Sequence, residues 1–162
     1  MLADISVNAS SFKALFENTI FLSPLSSLCI TQALKGIIYA FSGRNKKPKE
    51  LLEIVAWRTG GMPSSHSAVV CSLSTAVAFK EGIASNLFIF SFWFALVVLR
   101  DAMGVRRSAG LVARALNNLG RQAVEKAGVE FNSVKEIQGH TPLEVVVGSF
   151  LGIFIAAGLH LL

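Results

Sequence analysis

Charged side chains are scarce in this 162-residue chain, 15% against 52% hydrophobic, which excludes an ordinary soluble domain, where about a quarter of residues are charged. With a mean hydropathy of +0.57, lipid is the expected solvent. Cysteine is nearly absent. Cys29 and Cys71 stand inside apolar runs, with no CxxC and no zinc-ligand spacing, and read as small buried hydrophobes. Acids are outnumbered, 10 against 15 bases, but no basic stripe interleaved with aromatics is present, so nucleic acid is not an expected partner. No HExxH-type spacing argues for a metalloenzyme. The first apolar run lacks a short hydrophobic region ending in a cleavage site, so no removed signal peptide is expected. Internal repeats and low-complexity tracts are missing too, leaving one membrane-embedded domain over residues 1–162.

What the chain has is hydrophobic length. Ile20 to Phe41 is long enough to cross a hydrocarbon core of ~30 Å at ~1.5 Å per residue, although Lys35 interrupts it. A polar loop from Ser42 to Arg58 follows. A second, short run covers His66 to Phe79, and a third, Asn86 to Met103, is dense in phenylalanine. Between Gly104 and Gly139, Leu111, Ala115, Leu116, Leu119 and Val124 recur at helical spacing among Arg114, Asn117, Asn118, Arg121 and Gln122, predicting an amphipathic helix at the membrane interface. Pro142 opens a fourth run to Leu162, where Gly148-x-x-x-Gly152 and Gly158 favour close helix packing. The fold class is therefore all-α, a bundle of about four transmembrane helices plus an interfacial helix. Four spans place 12 of the 15 bases on one side. The positive-inside rule makes that side cytoplasmic, with the termini opposite and His160 near the far interface.

Three polar clusters fall on that basic side: Gly60-Gly61-Met62-Pro63-Ser64-Ser65-His66, Asp101 to Arg107, and Gly139-His140-Thr141-Pro142-Leu143-Glu144. Singly each reads as a turn or a topology anchor; together they form a site. His140 and Glu144 are four apart at a helix start, so the carboxylate can orient the imidazole. His66 also opens a helix, and two helix N-termini facing one point suit an anion such as phosphate. Arg106 and Arg107 offer forked donors for its oxygens, with Ser64 and Ser65 adding hydroxyl or backbone donors. Asp101 either pairs with one of those arginines or binds a cation.

These strings, from Gln32-x-x-Lys35 through Gly-Gly-Met-Pro-Ser-Ser-His-Ser and Gly-Val-Arg-Arg-Ser-Ala-Gly to Gly-His-Thr-Pro-Leu-Glu-Val, resemble the divergent branch of the type 2 phosphatidic acid phosphatase superfamily. Its wider relatives include bacterial acid phosphatases and vanadium haloperoxidases. Pro63-Ser64-Ser65-His66 resembles the superfamily's Pro-Ser-Gly-His, and His140-x-x-x-Glu144 its His-x-x-x-Asp. The resemblance implies His140 as nucleophile, Glu144 as the residue orienting it and His66 as the acid for the leaving oxygen. Lys35 and Arg106 or Arg107 would bind phosphate, and no metal or other cofactor is implied. Three positions depart from the pattern. The Lys-x6-Arg-Pro string is absent, with Arg58 a possible substitute for its arginine; Ser65 stands for the glycine; and the last arginine precedes its histidine by about thirty residues.

The implied activity is metal-independent hydrolysis of a phosphate ester or diphosphate, of a lipid above all, through a phosphohistidine intermediate. Three other readings compete: a non-catalytic phosphate- or lipid-binding membrane protein on the same fold, an assembly factor whose loops bind a protein, and a metal enzyme built on His66, His140, Asp101 and Glu144. Sequence gives no oligomeric state.

Overall fold

The computed structural model describes residues 9–41, 61–136 and 139–162, and no strand occurs among them. Their helices are, in order, α1 Ala9–Phe16, α2 Thr19–Phe41, α3 Ser65–Glu81, α4 Asn86–Met103, α5 Val105–Ala127 and α6 Pro142–Leu161. Arg58 and the bases of the Ser42–Arg58 loop lie outside the described residues, as does Gly60. A short helix, α1, precedes the first apolar run.

Among the described residues, three segments are long and apolar enough to cross a membrane: α2, α4 with its continuation into α5, and α6. The fourth expected span is different in kind. At 17 residues, α3 is ~25 Å long, and it carries Ser65, Ser67, Ser72 and Ser74 where a lipid-facing helix would carry leucine. It is the hub of the bundle, packed against α2, α4 and α6, with Ser67, Ala68, Ser72 and Ala76 buried. A helix that meets other helices on every side needs small side chains for close approach, whereas one that meets lipid needs apolar ones.

Three contacts mark the two ends of the bundle. Lys35 Nζ donates to Ser65 Oγ at 2.8 Å at one end. At the other, Lys80 Nζ donates to Asn18 Oδ1 at 2.9 Å, and Phe79 stacks on His160 with ring centroids 4.6 Å apart. Hence α3 and α6 both begin at the Lys35 end, and α2 and α4 run the opposite way.

Close approach of α6 to α3 depends on two glycines. A Cβ on Gly148 would run into the carbonyl oxygen of Ser64, and one on Gly152 into that of Ala68. Gly158, included in the same packing expectation, has open space around it and plays no such part. Gly152→Val is therefore expected to destabilise the bundle by roughly 1–3 kcal/mol, because the clash is with main chain that cannot step aside. Gly158→Val should change little, and thermal unfolding in detergent compares the two.

The interfacial helix forms as expected. Gly104 separates α4 from α5, and Val105, Val112, Leu116 and Leu119 lie exposed along one stripe of α5. Among the described helices α5 packs on α4 alone, which fits an apolar stripe left to the membrane boundary.

Candidate active site

Helix starts deliver the chemistry. Ser64 caps α3, its Oγ accepting from the Ser67 N–H at 3.4 Å and the Ser67 hydroxyl at 2.9 Å. Its own N–H donates to the Glu144 carbonyl at 3.1 Å. That last bond ties the first turn of α3 to the first turn of α6. His66, the second residue of α3, thus stands beside His140, with ring centroids 6.2 Å apart. Both helices aim unpaired N–H groups and positive dipole ends at the same region.

Glu144 has two tasks. It is the N3 residue of a capping box, in which Thr141 Oγ1 accepts from the Glu144 N–H at 3.4 Å and Glu144 Oε2 accepts from the Thr141 N–H at 3.1 Å. The same Oε2 lies 3.0 Å from His140 Nδ1. A carboxylate there selects the tautomer with the proton on Nδ1, leaving the Nε2 lone pair free. His140 is only 2% exposed, and its Nε2 is buried without a hydrogen-bond partner among the described residues. Burial pushes this imidazole below the usual histidine range, against the pull of the Glu144 hydrogen bond and charge, and the Lys35 and Arg106 charges add to the lowering. The result is a neutral imidazole with one engaged and one open nitrogen.

The cations are sorted by the structure. Lys35, the interruption in the first apolar run, is 5% exposed. It turns inward, reaching Ser65 and standing close enough to act electrostatically on both imidazoles. Arg106 likewise acts on both, and its Nε donates to Asp101 Oδ2 at 2.6 Å. Asp101 thereby takes the ion-pair role of the two considered for it. Arg107 lies elsewhere: with Gly61, Arg114, Gly139 and Glu144 it lines a polar cleft of about 290 Å³. Lys35, Ser65, His66, Arg106, His140 and Glu144 are thus brought together, Ser64 is engaged as cap and tie, and Arg107 borders the group on the Glu144 side. Among the described residues no cluster of three or more His, Cys, Asp or Glu side chains could hold a metal ion.

Thr141 and Gly139 stood in the third cluster of the sequence but were given no role there. Thr141-x-x-Glu144 before an apolar run was the available signal, since that pattern marks a capping box. Gly139 had none. Its requirement is tertiary, because a Cβ there would overlap the backbone of Arg107.

Comparison with known proteins places the same residues in a family context. No solved structure matches the chain. A membrane protein of Bacillus subtilis (strain 168), YuiD, described as uncharacterized, is 37% identical over 154 residues, covering 87% of this chain and 93% of the relative. The model of the Divergent PAP2 family matches residues 16–155, from just before α2 to near the end of α6. With the three membrane-crossing helices, these similarities establish an integral membrane protein, and the chain belongs to the Divergent PAP2 family.

Proposed function

We propose that this protein is a membrane phosphatase that hydrolyses a phosphate ester or diphosphate, of a lipid above all, through a phosphohistidine. The observation that carries the reading is His140, neutral, held by Glu144 through Nδ1 and open at Nε2, beside His66 and within the field of Lys35 and Arg106. In the first step Nε2 attacks phosphorus in line as the bond to the leaving oxygen breaks, and His66 gives that oxygen a proton. In the second, water attacks phosphorus as the Nε2–P bond breaks, His66 takes the water's proton and so regains the one it gave, inorganic phosphate departs and His140 recovers its lone pair. Lys35, Arg106 and the two helix starts stabilise charge on the equatorial oxygens. Ser65 supplies a hydroxyl beside Lys35, and Arg107, at the neighbouring cleft, would contact a larger headgroup. The membrane boundary at this end of the bundle gives access to lipid headgroups, and the positive-inside rule assigns the face to the cytoplasm.

The test is phosphate release by the purified protein from a panel of lipid phosphates in the presence of a chelator, with vanadate as inhibitor. Release that persists in chelator and stops with vanadate is expected. Release abolished by EDTA would turn the reading toward a metal enzyme. Vanadate binding with no turnover across the panel would leave a phosphate-binding protein on this fold.

A further inference from the structure

His140 is not reached directly from a membrane helix. Between α5 and α6 the chain turns at Gly128, in the left-handed conformation at φ +64°, and its described residues up to Glu136 are irregular. A segment without ladder hydrogen bonds needs other anchors if the histidine beyond it is to be held in place. Those anchors are all on α5. The Phe131 ring lies against Gly120, where a Cβ would overlap it. One turn earlier on α5, Asn117, 6% exposed, uses its whole amide. Nδ2 donates to the Val134 carbonyl at 2.8 Å and to Glu136 Oε1 at 3.0 Å, while Oδ1 accepts from the Val134 N–H at 2.8 Å. Both main-chain groups of one residue are thus satisfied by one side chain, as a neighbouring strand would do. Only a carboxamide sets a donor and an acceptor side by side in this way. Arg114 Nε adds a bond to Glu136 Oε2 at 3.3 Å. Beyond Glu136, Gly139 lies on the Arg107 backbone in the first turn of α5, and the His140 N–H donates to the carbonyl of Ala102 in the last turn of α4 at 3.2 Å.

We propose that Asn117 is a positioning residue for His140: its two-way bond to Val134 fixes the register of residues 129–136 along α5, and that register sets where His140 enters the site. Asparagine is a poor helix former, so its place in the interior of α5 is explained by the segment it holds and not by the helix. Slippage by one residue would carry His140 away from the Ala102 carbonyl, and with it the capping box that holds Glu144.

The full-length protein in nanodiscs tests this by amide hydrogen exchange, by the rate of His140 carbethoxylation with diethyl pyrocarbonate, and by phosphate release. In Asn117→Ala the Val134 and His140 amides should exchange together about ten-fold faster than in wild type. His140, buried in the native protein, should become modifiable. Phosphate release, the arm that rests on the hydrolase reading, should lose about 100-fold in kcat with KM little changed, as expected for a displaced nucleophile. Asn117→Asp keeps the shape and the acceptor for the Val134 N–H but sets carboxylate oxygens against the Val134 carbonyl and Glu136, and should behave like the alanine variant. Glu136→Gln leaves both bonds to Val134 in place and should keep His140 protection near wild type. Rapid Val134 exchange with His140 exchange and modification at wild-type rates would overturn the proposal, as would loss of His140 protection in Glu136→Gln. If Asn117→Ala does not fold, Asn117→Asp decides. If the wild-type protein hydrolyses nothing in the panel, the hydrolase reading falls, while exchange and modification still decide the role of Asn117.

Discussion

Replacing His140 by alanine should reduce phosphate release by about 10⁴–10⁶-fold, the loss expected when a covalent nucleophile is removed and only binding and charge stabilisation remain. Vanadate affinity should fall far less, because on the proposed reading Lys35, Ser65 and Arg106 would still hold the anion without His140. On the hydrolase reading, phosphate release by the native protein should also show an acid limb set by this residue. Attack needs the neutral imidazole, and since burial lowers its pKa, the neutral form persists below the usual histidine range. Turnover is therefore lost only as pH falls through that lowered value. A rate measured for wild type and His140→Ala across pH, with a burst of labelled phosphohistidine sought on rapid acid quench, checks both statements. Full activity in the alanine variant would remove His140 from the chemistry.

The second large effect is expected from Glu144→Gln, a change of one atom type with no change of shape. Glu144 Oε2 accepts at once from the Thr141 N–H and from His140 Nδ1. A glutamine whose oxygen stays with Thr141 turns its NH₂ toward Nδ1, which then has to be the acceptor. The imidazole proton moves to Nε2, the atom that must attack, and the nucleophile is blocked. A comparable tautomer error in a serine protease triad costs about 10⁴-fold in kcat, and a similar loss is expected here. The helix start should tolerate the change, since glutamine also serves at N3 of a capping box. Circular dichroism and unfolding should thus match wild type while phosphate release collapses. Glu144→Asp keeps the carboxylate and should retain more activity than Glu144→Gln. Equal rates for Glu144→Gln and wild type would show that orientation by this residue is irrelevant.

Much of the fold was legible because hydrophobic length is a property of composition. Asn86–Met103 and the Pro142 start of α6 stand in the structure where the runs predict them, and α2 begins one residue earlier than its apolar run. The third helix was the hardest to read. Its serines lowered its apparent hydropathy for a reason invisible in one dimension, namely that three other helices enclose it. Lys35 shows the same limit from the other side. In sequence it is a flaw in an apolar run; in the structure it is a buried cation delivered to Ser65.

The histidine motifs and their shared membrane face followed from sequence because motif spacing and alternation of spans are both local properties. Which arginine acts on the imidazoles did not follow: Arg106 and Arg107 are neighbours in the chain, but successive helical residues point about 100° apart, and only packing decides which of them comes near. Asn117 gave no signal, since its value lies in the backbone of Val134, seventeen residues on. The sequence by itself determined that the chain enters lipid, where its helices run and which polar motifs are candidates for a site, because these depend on side-chain type and short spacing. Tertiary structure alone decided which helix is central, which arginine stands near the histidines and what anchors the segment before His140, because those depend on distances between segments remote in the chain.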